Sequence, residues 1–273
     1  DIVHCHQGPK GIFALIFAKM IRVKIRIIHN HIAFVPETKI ERTKRKIICW
    51  ITKALATHHF ACGSDASEWA YGKNALNEGK ARVINNAIDT SRFVFDSKIR
   101  ESIRKELCVG NKSVIGCVAR FSHQKNHKFL IDIFAQVRKM NPDTVLWLIG
   151  EGPLINDIKE HVNQLGLTDT VLFLGARNDV EILFQGMDLF LLPTKFEGLG
   201  IVYIEAQAAG LKTIASKYVV PRETKVTDLI SYVDLDAPIE HWVNKVLEGL
   251  TYYERKNTSK EIMVHGYEIN KES

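Results

Sequence analysis

Two glutamates eight residues apart, Glu197 and Glu205, have the type and spacing to bind a polar ligand. The apolar run Leu189–Leu192 before them is typical of a buried parallel strand. Residues 201–209 after the first glutamate have helical spacing and good helix-forming residues. Glu197 should therefore lie at or just before a helix N-terminus, with Glu205 ~12 Å further along the helix axis. Carboxylates at that separation can bind the two ends of an elongated ligand, but they cannot share a proton.

The loop between the two glutamates contains Gly198, Leu199 and Gly200. Glycines leave backbone N–H groups accessible, and the first N–H groups of a helix have no partner within the helix. From the residues alone, the alternative is that Glu197 is a helix cap and Glu205 a solvated helix residue. The position after a buried strand favours a binding role, because open α/β sheets bind ligands at the carboxyl ends of their strands.

Two cations, Arg120 and Lys125, follow an earlier apolar run, Val114–Ala119, where a predicted strand passes into a helix. Together with the helix N-terminus they could flank a diphosphate, although two surface cations without a ligand would have the same spacing. We predict no metal ion here, on the expectation that no Asp-x-Asp pair follows a strand. In this arrangement the cations would neutralise a leaving diphosphate in place of Mg²⁺.

The elements that must position these residues alternate between strand and helix, which predicts βαβ units and parallel sheets. No helix-length apolar run reaches the ~20 residues that a bilayer span needs. The predicted strands are 1–6, 23–29, 59–62, 114–119, 145–149, 171–174, 189–192, 212–215 and 230–232, and residues 82–89 are predicted as a strand followed by a loop. The predicted helices are 8–21, 40–56, 126–140, 153–165, 179–185, 201–209, 240–249 and 258–265, and residues 63–66 are predicted as a turn and helix start.

The segment 190–210 closely resembles the retaining glycosyltransferases of the GT-B fold, specifically glycosyltransferase family 4. That family has two glutamates separated by seven residues, a glycine after the first, and an apolar strand with proline before it. The resemblance covers nearly the whole chain and is strongest from 114 to 228. It implies an α/β fold of the GT-B class, with two Rossmann-like parallel-sheet domains of which the first is incomplete.

The resemblance also implies a role for each candidate residue. The donor is a nucleoside-diphosphate sugar, a UDP-sugar being favoured, and no separate cofactor is expected. Gly152, in a strand-to-helix turn, would line the nucleotide site with its backbone, and Arg177 would lie beside the base. Arg120 and Lys125 would bind the diphosphate, and Glu205 would bind the ribose hydroxyls. The donor sugar would be held by Glu197, by the amides of Gly198, Leu199 and Gly200, and by the side chain of His31.

His29 and His31 lie two apart at the end of a predicted strand, so they face the same side. Such a pair could bind a metal ion, but we expect no third or fourth ligand near it. A structural histidine is the other interpretation of His31. The position at the strand end matches the sugar-contacting histidine of the resembled family.

The resemblance divides the chain into three parts. Residues 1–86 would form the C-terminal half of the acceptor-side domain, 87–255 the nucleotide-sugar domain, and 256–273 a partial return helix. The opening half of the first domain, with its acceptor loop, is absent from this sequence, so we interpret the chain as a fragment of a longer protein. Such a fragment could bind donor and still be inactive.

The charge of +6 is unevenly placed, because residues 1–53 hold eleven Lys/Arg and three Asp/Glu. This asymmetry predicts an anionic partner for the first part of the chain. Residues Ile40–Ala56 form a basic amphipathic helix, which is either a solvated surface helix or a helix lying on anionic lipid. Five scattered cysteines without a C-x-x-C pair indicate reduced thiols and a cytoplasmic location, at the inner face of the membrane if the lipid interpretation holds.

Together these observations predict sugar transfer to a saccharide or lipid-linked saccharide acceptor in surface polysaccharide synthesis, with retention at the anomeric carbon. One alternative is a GT-B sugar-nucleotide epimerase, whose extra catalytic acids are not evident. Another is a non-catalytic Rossmann-like nucleotide-binding protein, against which no strand leads into G-x-G-x-x-G. Nucleic acid is not predicted as a partner, since the basic part lacks interleaved aromatic residues.

Overall fold

The structure, a computed structural model, describes residues 1–31 and 38–269. It contains two parallel sheets, as predicted, and the chain divides into two compact units. The first unit comprises Asp1–Asn86 with the short segments Phe196–Gly200 and Pro221–Glu223, and the second comprises the rest. Residues 270–273 of the predicted return helix lie outside the described residues.

The first unit is built on a four-stranded parallel sheet in the order β1-β2-β3-β4. Thr38 caps its second helix, because the Thr38 hydroxyl accepts a hydrogen bond from the Glu41 N–H, as in the first half of a capping box. The strands are β1 (Ile2–Cys5), β2 (Ile25–Asn30), β3 (His58–Ala61) and β4 (Arg82–Val83), and the helices are α1 (Ile12–Met20), α2 (Lys39–Leu55) and α3 (Ser64–Tyr71).

The second unit is built on a six-stranded parallel sheet in the order β10-β9-β8-β5-β6-β7. The central strands are buried along their length, which explains their continuous apolar sequence. The strands are β5 (Ser113–Val118), β6 (Thr144–Ile149), β7 (Val171–Gly175), β8 (Leu189–Leu192), β9 (Lys212–Ser216) and β10 (Ile230–Val233). The helices are α4 (Ser97–Glu106), α5 (His127–Met140), α6 (Ile155–Gln164), α7 (Val180–Gly186), α8 (Ile201–Ala208), α9 (Ile239–Gly249) and α10 (Ser259–Val264).

Helix α4 is the element that the sequence pattern does not reveal, because only Ile99 and Ile103 mark an apolar face in a highly charged segment. Asp96 caps it by accepting a hydrogen bond from the Lys98 N–H at 2.7 Å. Its arginines then bind the end of α7 and the carboxylate of Asp188. Within the described ranges, no helix combines the length and the apolar character that a bilayer crossing would need.

Candidate functional site

The order in which strands are added to the sheet of the second unit reverses between β5 and β8. From β5 the chain adds β6 and β7 on one side, then returns to place β8 on the other side of β5. The loops after β5 and β8 therefore diverge from a topological switch point, where open α/β sheets bind their ligands. The predicted cations follow β5, and the predicted glutamates follow β8.

Hydrogen bonds join the two loops at this point. The carbonyl oxygen of Gln124 accepts from the N–H of Lys195 at 2.8 Å and from the hydroxyl of Thr194 at 2.9 Å. Gln124 lies one residue before Lys125, within a short 3-10 turn that leads into α5. Arg120, at the start of the same loop, is exposed, and Lys125 is half-buried. The sequence predicted the cations but gave no signal for the joining role of Gln124.

The turn after β6 packs directly against the β5 loop. The N–H of Phe121 donates to the carbonyl of Glu151 at 2.9 Å, and the N–H of Leu154 donates back to the carbonyl of Phe121 at 3.2 Å. A Cβ on Gly152 would lie 2.3 Å from that same carbonyl oxygen. Position 152 therefore requires glycine because two backbones meet there, which is consistent with a backbone surface along the predicted nucleotide site.

Arg177 lies after β7 and is held by a neighbouring carboxylate. Its Nε and Nη2 donate to the two oxygens of Asp179 at 2.8 and 2.6 Å, a bidentate ion pair. This hydrogen bonding lowers the pKa of Asp179. The guanidinium is thus oriented locally, and its predicted place beside a base stays a prediction.

Glu205 projects from α8 and is half-buried. Burial and the nearby carboxylate of Glu181 raise the pKa of Glu205, against an opposing effect of Arg92. The helix is anchored to the end of β8 because the hydroxyl of Tyr203 donates to the carbonyl of Leu192 at 2.8 Å. The Glu205 carboxylate is therefore held on a fixed helix, with Arg92 as the cation that opposes the rise in its pKa. Hydroxyl groups of a ligand that donate hydrogen bonds to the carboxylate would stabilise its ionised form.

A buried amide two residues further along fixes the same helix to the segment after it. The side chain of Gln207 donates to the carbonyls of Tyr203 and Thr224 at 2.9 and 2.8 Å, and it accepts from the N–H and hydroxyl of Thr227 at 3.0 and 2.9 Å. All four hydrogen-bonding positions of the amide are occupied. Sequence reasoning missed this residue, whose role depends on contacts distant in the sequence.

An Asp-x-Asp triplet follows β10, so the expectation that none follows a strand is wrong. Asp234 and Asp236 stand there, separated by Leu235. One oxygen of Asp234 accepts the N–H of Asp236 at 3.0 Å, which is a local turn hydrogen bond. β10 is at the edge of the sheet, two strands from β8, so this triplet does not belong to the switch point.

The segment Phe196–Gly200 belongs by its contacts to the first unit. Glu197 is buried there, with 6% of its surface exposed, and Gly198 and Leu199 are buried as well. The carbonyl of Gly198 would lie 3.5 Å from a Cβ built on Gly63, the residue before α3. The same end of α3 binds the other short segment of this unit, since the N–H of Ser64 donates to Glu223 at 3.2 Å.

His31 is half-buried, and its Nε2 lies 3.1 Å from Nδ1 of His6, with the tautomers deciding which nitrogen donates. His4 lies beside His6 on β1, with ring centroids 4.0 Å apart, and His29 lies beside His31 with centroids 4.1 Å apart. The expectation that no further ligand faces the His29–His31 pair is therefore wrong. The His-x-His spacing in β1 was visible in the sequence, but its meaning depends on β1 pairing with β2.

Comparison with known proteins agrees with this architecture. Residues 98–233 match the family described as Glycosyl transferases group 1. The putative glycosyltransferase EpsF of Bacillus subtilis (strain 168) is 28% identical over 247 residues, covering 89% of this chain and 64% of that protein. The UDP-Gal:alpha-D-GlcNAc-diphosphoundecaprenol alpha-1,3-galactosyltransferase of Escherichia coli is 29% identical over 225 residues, covering 79% of this chain and 57% of its own length.

The fold has a solved counterpart in the Anabaena protein HepE, crystallised with UDP and glucose. The match has a TM-score of 0.82 at 20% identity and covers 98% of this chain and 74% of that one. The predicted GT-B fold class is thereby confirmed. The chain spans only about two thirds or less of the curated relatives named above.

Proposed function

We propose that this chain, whose residues 98–233 match the Glycosyl transferases group 1 family, is the donor-binding part of a retaining glycosyltransferase. Its donor is a nucleoside-diphosphate sugar, and its acceptor a saccharide or lipid-linked saccharide in surface polysaccharide synthesis. We assign residues 1–86 to the acceptor-side domain, 87–255 to the nucleotide-sugar domain and 256–273 to a return segment.

The observation that carries this proposal is the switch point between β5 and β8. Arg120 and Lys125 follow one of its strands, and the carbonyl of Gln124 ties their loop to the loop of the other. Two cations beside a helix N-terminus suit a diphosphate, whose charge grows as the sugar departs. The proposed UDP specificity is supported by the names of relatives, one a UDP-Gal transferase and one crystallised with UDP.

The remaining roles follow the family resemblance, residue by residue. Glu205 accepts hydrogen bonds from the ribose hydroxyls, Gly152 lines the nucleotide with its backbone, and Arg177 lies beside the base. Glu197, the amides of Gly198, Leu199 and Gly200, and the His31 side chain hold the donor sugar. With no enzyme nucleophile assigned, the leaving phosphate helps to deprotonate the acceptor on the same face of the sugar.

The first test is calorimetric titration of the chain with UDP, GDP, NAD and an oligonucleotide. We expect a nucleoside diphosphate to bind, with UDP tightest, and the Arg120→Ala or Lys125→Ala variant to bind it at least tenfold more weakly. A hydrogen bond to a charged group contributes about 1.5–3 kcal/mol, which supports that factor. Lys98→Ala, which removes an exposed lysine on α4, is the matched control. Binding of NAD or the oligonucleotide in preference to any nucleoside diphosphate would contradict the proposal.

The second test is turnover by the full-length protein with a panel of nucleotide-sugars. We expect Glu197→Ala to lower turnover by about 10–10²-fold, since a hydrogen bond between a charged group and a sugar hydroxyl contributes about 1.5–3 kcal/mol. Proton NMR of the new linkage should show the anomeric configuration of the donor. Inverted product, or turnover of Glu197→Ala within threefold of the parent, would refute the assigned roles.

We also propose that α2 lies on an anionic membrane surface. Ile40, Ile47 and Trp50 are exposed by 68%, 53% and 68% of their surface. At 100° per residue they form one stripe, which Lys44 and Lys46 flank on its two sides. An apolar stripe bordered by cations is the pattern of helices that lie in the membrane interface.

The membrane contact is tested by flotation with phosphatidylglycerol and phosphatidylcholine vesicles. We expect binding to the anionic vesicles only, reduced about tenfold by Ile47→Gln combined with Trp50→Gln, because two apolar side chains lose their burial in lipid. Met140→Gln, at an exposed apolar residue of α5, should bind as the parent does. Equal loss in the two variants would refute the assignment to α2.

A further inference from the structure

Four imidazoles collect on one face of the first sheet. β1 and β2 pair in parallel with His4 opposite Ile27, so side chains two residues on, at His6 and His29, share that face. His31 continues it beyond the end of β2. The adjacent strand contributes Phe60, paired with His29 and packed edge-on against it with ring centroids 6.1 Å apart.

The ligand atoms of this cluster are close enough for one ion. One ring nitrogen from each of His4, His6 and His29 lies within 4.8 Å of the others. Nδ1 of His6 and Nε2 of His31 are already 3.1 Å apart. Four nitrogens at ~2.0–2.1 Å from a tetrahedral zinc ion are ~3.3 Å from one another. Small rotations of the exposed His4 and His6 side chains would therefore complete the geometry.

The inner member of the cluster is buried with no well-formed hydrogen bond to the described residues. His29 is 4% exposed, and neither of its ring nitrogens makes a hydrogen bond of good geometry within the described residues. A buried polar group left in that state costs about 1–3 kcal/mol. Ligation of a metal ion by one of the two nitrogens would satisfy that atom.

Three of the four imidazoles have a lowered pKa. Burial, with the neighbouring His31, His6 and His4, lowers the pKa of His29 to about 4, against a small opposing effect of the Ala61 backbone. Burial likewise lowers the pKa of His31 and His4, with further effects from the other rings.

We propose that His4, His6, His29 and His31 form a binding site for one divalent transition-metal ion. A set of imidazoles without carboxylate suits Zn²⁺, Co²⁺, Ni²⁺ or Cu²⁺, and it disfavours Mg²⁺ and Ca²⁺, which take oxygen ligands. Zn²⁺ fits the tetrahedral arrangement best. Of the four proposed ligands, only His31 also has a role in the donor proposal.

The test uses the metal alone and the two exposed histidines, which the donor proposal does not involve. Zn²⁺ affinity and stoichiometry are measured by competition with a chromophoric chelator, and Co²⁺ binding by its visible ligand-field absorption. We expect one ion per chain with the absorption of tetrahedral cobalt. His4→Asn and His6→Asn should each weaken Zn²⁺ binding by at least about tenfold, and the double variant should lose the cobalt spectrum.

His241→Asn removes an exposed histidine on α9 and should leave affinity and spectrum unchanged. Circular dichroism melts show whether each variant is folded, and His4 and His6 are chosen because both are exposed. The proposal is overturned if the folded double variant binds Zn²⁺ as tightly as the parent, or if His241→Asn loses as much affinity. It is equally overturned if the parent gives only the spectrum of octahedral cobalt.

Discussion

Replacing Gln207 by leucine tests whether its buried amide network fixes α8, the helix that carries Glu205. The side chain is fully buried and its amide makes four hydrogen bonds of 2.8–3.0 Å. Leucine has a similar size but satisfies none of them. The Tyr203 carbonyl keeps its helical hydrogen bond, so the loss falls on Thr224 and Thr227.

The magnitude follows from which groups are left buried. The buried carbonyl of Thr224 keeps a hydrogen bond from the N–H of Val226 at 3.1 Å, so losing the Gln207 amide there should cost about 1 kcal/mol, and the half-buried Thr227 groups should cost about 1 kcal/mol in total. We therefore expect Gln207→Leu to lower the free energy of unfolding by about 2 kcal/mol. For a unit of this size that corresponds to a fall in Tm of about 4–8 °C.

Differential scanning calorimetry and urea unfolding measure this change, with Gln164→Leu as the matched control. Gln164 is exposed and donates only to Glu160, so its replacement should change stability by less than about 0.5 kcal/mol. A folded Gln207→Leu variant within 1 kcal/mol of the parent would refute the reasoning.

Three other changes should have measurable effects. Gly152→Ala should weaken UDP binding at least tenfold in calorimetry, because its Cβ would lie 2.3 Å from a backbone oxygen. Gly110→Ala, strained by a φ of +53° but with no atom within 4 Å of its Cβ, should lower stability and leave UDP affinity unchanged. Burial and Lys125 lower the pKa of His127 to about 4. The contribution of His127 to the free energy of unfolding is therefore complete above pH 6.5 and falls by up to about 3 kcal/mol towards pH 4. In urea titrations, the free energy of unfolding of His127→Phe should vary less with pH than that of the parent. Hydrogen bonds from the ribose hydroxyls should favour the ionised form of Glu205, whose pKa is raised in the free protein, so UDP binding should release protons. Calorimetry in buffers of different ionisation enthalpy measures this release, and Glu205→Gln should reduce it.

The fold was largely predictable because its information is local and repeated. Fully apolar runs such as Thr144–Ile149 indicate strands buried on both faces, and the helices between them follow the 3.6-residue period. Helix α4 escaped prediction because its stability comes from Arg100 and Arg104, which bind Asp188 and backbone carbonyls some eighty residues away. An interaction at that separation leaves no periodic trace within the helix itself.

The candidate site residues likewise include some that local sequence predicts and some that depend on contacts between distant segments. Glu197 and Glu205 are linked by one strand, loop and helix, so their spacing along the chain carries the information. The histidine cluster instead depends on the register between β1 and β2, in which Ile2 pairs with Ile25. A shift of one residue would have turned the rings of His4 and His6 to the opposite face from those of His29. No count along the sequence fixes that register.

Arg120 and Arg177, the two arginines of the donor proposal, differ in the charge that they offer a ligand. Arg177 forms a bidentate pair with Asp179, so much of its charge is neutralised before a ligand arrives. Arg120 is exposed at the switch point and has no carboxylate partner among the described residues. A diphosphate should therefore gain most of its electrostatic attraction from the β5 loop, while Arg177 contributes a fixed planar surface. Since exposed charges are screened by ions, the affinity for UDP should fall with salt more steeply than the affinity for uridine.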